Sequence, residues 1–121
     1  MKSLLNVFSL LGQTGDPPLR EIDAATARAW HERGDCLLID VREDAEHRAE
    51  RIGGARLAPL SRLEQALPSP AAGAKAIFLC RSGARTRAQA GRLARCGFGE
   101  AYILAGGIAA WKACGFPVER D

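Results

Sequence analysis

No two cysteines form a CxxC pair, and the chain has only two histidines, His31 and His47. The four cysteines, Cys36, Cys80, Cys96 and Cys114, are scattered. A zinc site needs about four ligands at recognisable spacing, so no metal is expected. No disulfide framework is expected either. A chain of 121 residues, 47% hydrophobic, can build a core without one. Free thiols fit a reducing cytosol, and a cytoplasmic location is the expectation, with export as the alternative. No apolar stretch reaches the about 20 residues of a membrane-spanning helix. The segment Leu4 to Leu11 is apolar but short, and no A-x-A-like cleavage site follows it. It reads as a short helix covering apolar surface on this domain or on a partner. Gly15-Asp16-Pro17-Pro18 is a stiff break, so residues 1–18 form an extension and residues 19–121 the domain. There is no internal repeat and no low-complexity stretch. The net charge of +3 is too small to imply nucleic-acid binding. Acidic residues are absent between Gln65 and Gly99, where Lys75, Arg81, Arg85, Arg87, Arg92 and Arg95 all fall. That stretch is cationic, and its field favours a small anion.

What is present is an alternation of apolar runs and helical segments. Leu19 to Ile22 reads as a short strand, and Asp23 as the N-cap of a helix ended by Gly34. Cys36 to Ile39, Ala76 to Leu79 and Ala101 to Leu104 are continuous apolar runs, the pattern of strands buried on both faces. Glu43 to Arg51, Leu60 to Leu67 and Thr86 to Arg95 read as helices. Pro68 and Pro70 close the second, and Gly97 stops the third. Gly106-Gly107 leads into a last helix containing Trp111. The expected fold is α/β, three layers, with a central parallel sheet and helices on both faces. Sites in such sheets form outside the carboxyl ends of the strands. Asp40 and Cys80 lie at such ends.

Cys80 opens the segment Cys80-Arg81-Ser82-Gly83-Ala84-Arg85-Thr86-Arg87 directly after an apolar strand. Gly83 permits a positive φ, so the backbone can curl and aim successive N–H groups inward. Those amides, the start of the following helix and the arginines together favour a thiolate. Thiol pKa values fall from about 8.5 to roughly 3.5–7.5 in such surroundings. Arg85 can clamp a sulfonate or sulfate-like group through two N–H bonds. Ser82 and Thr86 can donate hydroxyl bonds, or Thr86 can cap the helix. Cysteine phosphatases also hold a thiolate in an arginine-bearing loop, but their spacing would put the arginine at position 86. Thr86 stands there, and Arg85 comes one residue early. The shorter loop suits sulfur better than a tetrahedral phosphate.

Three blocks now resemble the single-domain rhodaneses, a sulfurtransferase family. The first is Leu38-Ile39-Asp40-Val41-Arg42-Glu43 with Glu46 and Ile52-Gly53-Gly54-Ala55 downstream. The second is Cys80-Arg81-Ser82-Gly83-Ala84-Arg85, similar to the family's active-site loop. The third runs from Gly106-Gly107-Ile108 to Trp111 and on to Gly115-Phe116-Pro117-Val118. One departure is Glu50-Arg51 before Ile52, where the family often has Gly-His.

The resemblance implies a persulfide on Cys80, taken from thiosulfate or a related donor and passed to cyanide or a thiol, with no cofactor. Arg81, Ser82, Gly83, Ala84, Arg85 and Thr86 would cradle and orient the donor. Asp40 and Arg42 would support the loop from behind, Asp40 by hydrogen bonds or by a charge pair with a loop arginine. The alternative is a sulfur-carrier or interaction module that exchanges sulfur with protein thiols and turns over little thiosulfate. Cys36, Cys96 and Cys114 are expected to be packing or merely exposed residues, Trp30 and Trp111 core anchors, and His47 a surface histidine.

Overall fold

The computed structural model describes residues 19–68 and 74–121. The readings placed on Leu4 to Leu11, on Gly15 to Pro18 and on Pro70 lie outside the described residues. Five strands form one sheet: β1 (Arg20–Ile22), β2 (Leu37–Asp40), β3 (Arg56–Leu57), β4 (Lys75–Leu79) and β5 (Glu100–Leu104). Their spatial order is β1-β5-β4-β2-β3, and every pair is parallel. Around them lie α1 (Ala24–Glu32), α2 (Asp44–Ala49), α3 (Leu63–Ala66), α4 (Ala84–Ala88), α5 (Ala90–Ala94) and α6 (Gly107–Ala113).

Successive residues of a strand point to opposite faces, and here both faces are covered. Leu38, Ile77, Leu79, Tyr102 and Leu104 pack with Ala24 and Ala27 of α1 and with Ile108 and Trp111 of α6. Ile39, Ala76, Phe78 and Cys80 pack on the other face with Leu63 of α3 and Leu93 of α5. That is why the central strands read as unbroken apolar runs rather than as alternating ones.

Asp23 caps α1, its carboxylate accepting the Thr26 N–H at 2.8 Å. Trp111 is buried and donates its indole N–H to the Pro117 carbonyl at 2.8 Å. Trp30 is half-buried, edge-on to Tyr102 with ring centroids 5.0 Å apart.

Three details differ from the sequence reading. The segment expected as one helix over residues 86–95 starts earlier, at Ala84, and divides into α4 and α5 at Gln89. The start moves because Gly83, in the left-handed region at φ 95°, is the N-cap. The segment Leu60 to Leu67 opens with a 3-10 turn (Leu60–Arg62) before α3. β3 is new. It is two residues long, too short to leave a period in the sequence, and it is held by backbone pairing to Ile39 and Asp40.

The register fixes the site. Asp40 pairs with Leu79 across β2 and β4, so the carboxyl ends of both strands are level, and Cys80 follows at once. Val41 N–H bonds the Leu79 carbonyl at 2.9 Å, and Ala58 N–H bonds the Asp40 carbonyl at 2.8 Å.

Candidate active site at the carboxyl end of the sheet

Cys80 directly follows β4 and is 1% exposed. Its sulfur accepts the Gly83 N–H at 3.1 Å, and the Thr86 hydroxyl lies 3.7 Å away. Burial alone would raise the thiol pKa. Here the amides of Thr86, Gly83 and Ser82 and the Thr86 hydroxyl outweigh burial, and the net shift is downward. Desolvation pushes the Cys36 thiol up to about 11 and the Cys96 thiol up as well. Of these three thiols only the loop cysteine is moved toward the thiolate. Of the amides, helix start and arginines expected to act together, the amides, with the Thr86 hydroxyl, are the groups that lower its pKa. Arg81 is exposed. Because α4 has five residues, individual N–H groups rather than a long helix dipole act on the sulfur. Thr86 is fully buried and donates to the Gly83 carbonyl at 3.0 Å, which ties the loop across its own turn. Ser82 and Ala84 lie on the exposed rim, where the Ser82 hydroxyl accepts the Ala84 N–H at 3.4 Å.

The far side of the loop rests on α6. Ile108 N–H bonds the Cys80 carbonyl at 2.9 Å, and Ala109 N–H bonds the Arg81 carbonyl at 3.0 Å. Gly107 (φ +59°) makes this approach possible. A Cβ there would sit 2.6 Å from the Arg81 carbonyl carbon and against the Cys80 oxygen. The Gly106-Gly107 pair was legible as a helix lead-in; its support of the nucleophile's backbone was not.

Arg85 is not an open clamp. Its Nη1 and Nη2 each donate to a Glu46 carboxylate oxygen at 2.8 Å. Glu46 in turn accepts the Glu43 N–H at 3.0 Å, the backward half of a capping box on α2. The hydrogen bonds from Arg85 hold the Glu46 carboxyl down at about 2, and Glu46 raises the Arg85 pKa. Glu46 figured in the sequence only as part of a motif. Its spacing from Glu43 announces the cap but not the partner brought from α4.

Asp40 and Arg42 form a buried pair behind the loop. Asp40 is fully buried and Arg42 is 4% exposed. The Arg42 guanidinium meets the Asp40 carboxylate at 2.7 and 2.9 Å and also bonds the Glu50 carbonyl at 2.6 Å. His47 is not a surface histidine. It is half-buried, with Nδ1 2.9 Å from Asp40 Oδ2. The partners of Asp40 are thus Arg42 and His47, both from its own side of the sheet, instead of a loop arginine. Burial of a carboxylate demands such partners, and α2 supplies one of them.

A cavity of about 290 Å³ abuts the loop, lined by Arg42, Glu46, Ala49, Glu50, Arg81, Ile108, Ala109 and Lys112. Among the described residues no cluster of three or more metal-ligating side chains occurs, and no helix is long and apolar enough to cross a membrane. Chemically the arrangement offers one stabilised sulfur nucleophile beneath a rim of N–H donors and cations.

The family model described as a rhodanese-like domain matches residues 23–114. A sulfurtransferase of Allochromatium vinosum is 30% identical over 83% of this chain and 94% of its own length. An uncharacterized protein of Synechocystis is 33% identical over 78% of this chain, which spans only 53% of that relative's length. The crystal structure of a rhodanese-related protein from Thermoplasma volcanium superposes with a TM-score of 0.71 at 27% identity, covering 84% of this chain and 99% of that one.

Proposed function

The chain belongs to the rhodanese-like domain family, and on that premise we propose that it is a sulfurtransferase carrying a sulfane sulfur on Cys80. The observation that carries the reading is the cradle itself: Cys80 lies buried at the carboxyl end of the sheet, its sulfur on the Gly83 N–H at 3.1 Å with the Thr86 hydroxyl 3.7 Å away, and these groups draw its thiol toward the thiolate while burial pushes Cys36 and Cys96 the other way.

The cycle has two steps. The Cys80 thiolate attacks the outer sulfur of thiosulfate. An S–S bond to Cys80 forms, the donor's S–S bond breaks, and sulfite leaves with the electron pair. Cyanide or a thiolate then attacks the outer sulfur of the persulfide, and the Cys80 thiolate is restored. Neither step needs an oxidant. The N–H groups that face the thiolate in the first step face the persulfide anion in the second. Nucleophiles and leaving groups are already anions, so no acid–base residue is required, and His47 serves instead to hold Asp40. A protein thiol is an equally suitable acceptor, and a reducing cytoplasm suits a protein that works through a free thiol.

Cyanide added to protein preloaded with thiosulfate should release thiocyanate in proportion to the loaded Cys80. A loaded Cys80 that yields no thiocyanate, yet passes its sulfur to an added protein thiol, would favour the carrier role over the small-molecule enzyme. Release of thiocyanate at the same rate from Cys80→Ser protein would refute the proposal.

A further inference from the structure

The helix α2 carries two residues that serve the site, yet little in α2 itself holds it in place. It has six residues, and none of them belongs to the buried core. Helices shorter than about 12–15 residues are marginal in water, so outside contacts must fix it. Its consecutive residues Glu46 and His47 reach across to other elements. Glu46 grips Arg85 through two 2.8 Å bonds, and His47 Nδ1 lies 2.9 Å from Asp40. Arg85 in turn feels the charge of Cys80. A last turn that frays would disturb both partners at once. The amino end of α2 is secured by its capping box and by Ser61 and Arg62, which bond Glu43 at 2.6 Å and Asp44 at 2.8 Å.

At the carboxyl end this work falls to Arg51. In a continuing helix its N–H would close on the His47 carbonyl. It donates instead to the Glu119 carbonyl at 2.9 Å, and the Glu119 N–H returns to the Arg51 carbonyl at 2.7 Å, an isolated antiparallel bridge. The His47 and Arg48 carbonyls are left without helical partners, and the Arg51 guanidinium bonds each of them at 3.4 Å. The same nitrogen, Nη1, meets the Asp121 carboxylate at 2.8 Å. Arg51 is thus a half-buried pin between the last turn of α2 and residues 119–121. Glu50 adds ion pairs to Lys112 and Arg120, but a carboxylate cannot donate to the free carbonyls. Glu50-Arg51 is also where the first block departs from the family's usual residues, so the pin is a feature of this chain.

Resting on the sulfurtransferase reading, we propose that Arg51 is a positioning residue for sulfur transfer: by pinning the last turn of α2 it keeps Glu46 on Arg85 and His47 on Asp40.

The test measures the rate at which thiosulfate loads Cys80, by intact mass, and hydrogen exchange at the His47 and Glu50 amides, which bond the Glu43 and Glu46 carbonyls. Arg51→Ala should speed that exchange and slow loading about fivefold each, the worth of a half-buried ion pair with a helix-end contact. Arg51→Lys keeps the charge but cannot span carbonyls and carboxylate together, and should recover about half of the loss. Asp121→Asn removes only the outer ion pair and should slow loading about twofold, which keeps the test open if Arg51→Ala does not fold. Arg33→Ala breaks an Arg–Asp pair at the end of α1 and should change neither readout. A merely structural role would make Arg51→Ala cost the same factor in any background. Positioning through α2 makes it cost less than about twofold in Glu46→Ala protein, where Arg85 is already released. If the two losses simply multiply, or if exchange in α2 is unchanged by Arg51→Ala, the assignment of Arg51 falls while the sulfurtransferase reading stands. If the native protein loads no sulfur on Cys80, both fall.

Discussion

Replacing Gly107 by Ala tests how the loop is supported. The new Cβ would lie 2.6 Å from the Arg81 carbonyl carbon and against the Cys80 oxygen, and both obstacles are backbone. Neither can swing aside as a flexible side chain would. The left-handed φ of +59° adds strain of about 1–2 kcal/mol for any residue with a Cβ. Forcing the loop backbone away adds about 1–3 kcal/mol, as overpacking does in a filled core. The sum is roughly 2–5 kcal/mol, which at roughly 4–8 °C per kcal/mol lowers Tm by about 10 °C or more. Gly115→Ala is the control. Its φ of +78° carries the same strain, but nothing lies within 4 Å of the added Cβ. It should lose only about 1–2 kcal/mol. Thermal and urea unfolding of the two variants separate strain from collision. Gly107→Ala should also load sulfur more slowly at temperatures where it is still folded, because the amides of Ile108 and Ala109 hold the Cys80 and Arg81 carbonyls. If Gly107→Ala unfolds at the same temperature and denaturant concentration as Gly115→Ala, the packing of the loop against α6 is not as described.

Two further outcomes follow from the buried polar groups. Asp40→Ala leaves the Arg42 guanidinium buried without its carboxylate and should cost about 3–5 kcal/mol in urea unfolding; a loss under about 1 kcal/mol would show that the pair contributes little. Thr86→Val removes a hydroxyl that acts both on the Gly83 carbonyl and near Cys80 Sγ. The thiolate form is the reactive one, so the rate of sulfur loading should rise with pH through a midpoint below that of an ordinary thiol, since the Cys80 pKa is lowered. In Thr86→Val that midpoint should move up, and loading at neutral pH should slow; an unmoved midpoint would remove Thr86 from the stabilisation of the thiolate.

Much of this architecture was legible because it is written in local patterns. The apolar runs ending at Ile39, Leu79 and Leu104 mark strands buried on both faces, and Gly83 marks the turn that curls the loop. Such signals need only near neighbours in sequence. What was not legible depends on contacts made across the fold. Glu46 meets Arg85 only because α2 and α4 converge above the sheet. His47 reaches Asp40 by the turn of α2, and nothing in its flanking residues announces that. Loop amides, the helix start and the arginines were all expected to favour the thiolate; the amides and the Thr86 hydroxyl are the groups that draw it down, and the sequence does not show which of these contributions leads. The division of residues 84–94 into two short helices is likewise invisible in their composition.

The central claim is that Cys80 carries the sulfur, and intact mass tests it most directly. After incubation with saturating thiosulfate, the native protein should gain a single sulfur, removable by cyanide and mapped to Cys80 rather than to Cys36, Cys96 or Cys114. Cys80→Ser should gain none. A native protein that stays unmodified, or a Cys80→Ser protein that gains the same sulfur, would contradict the account.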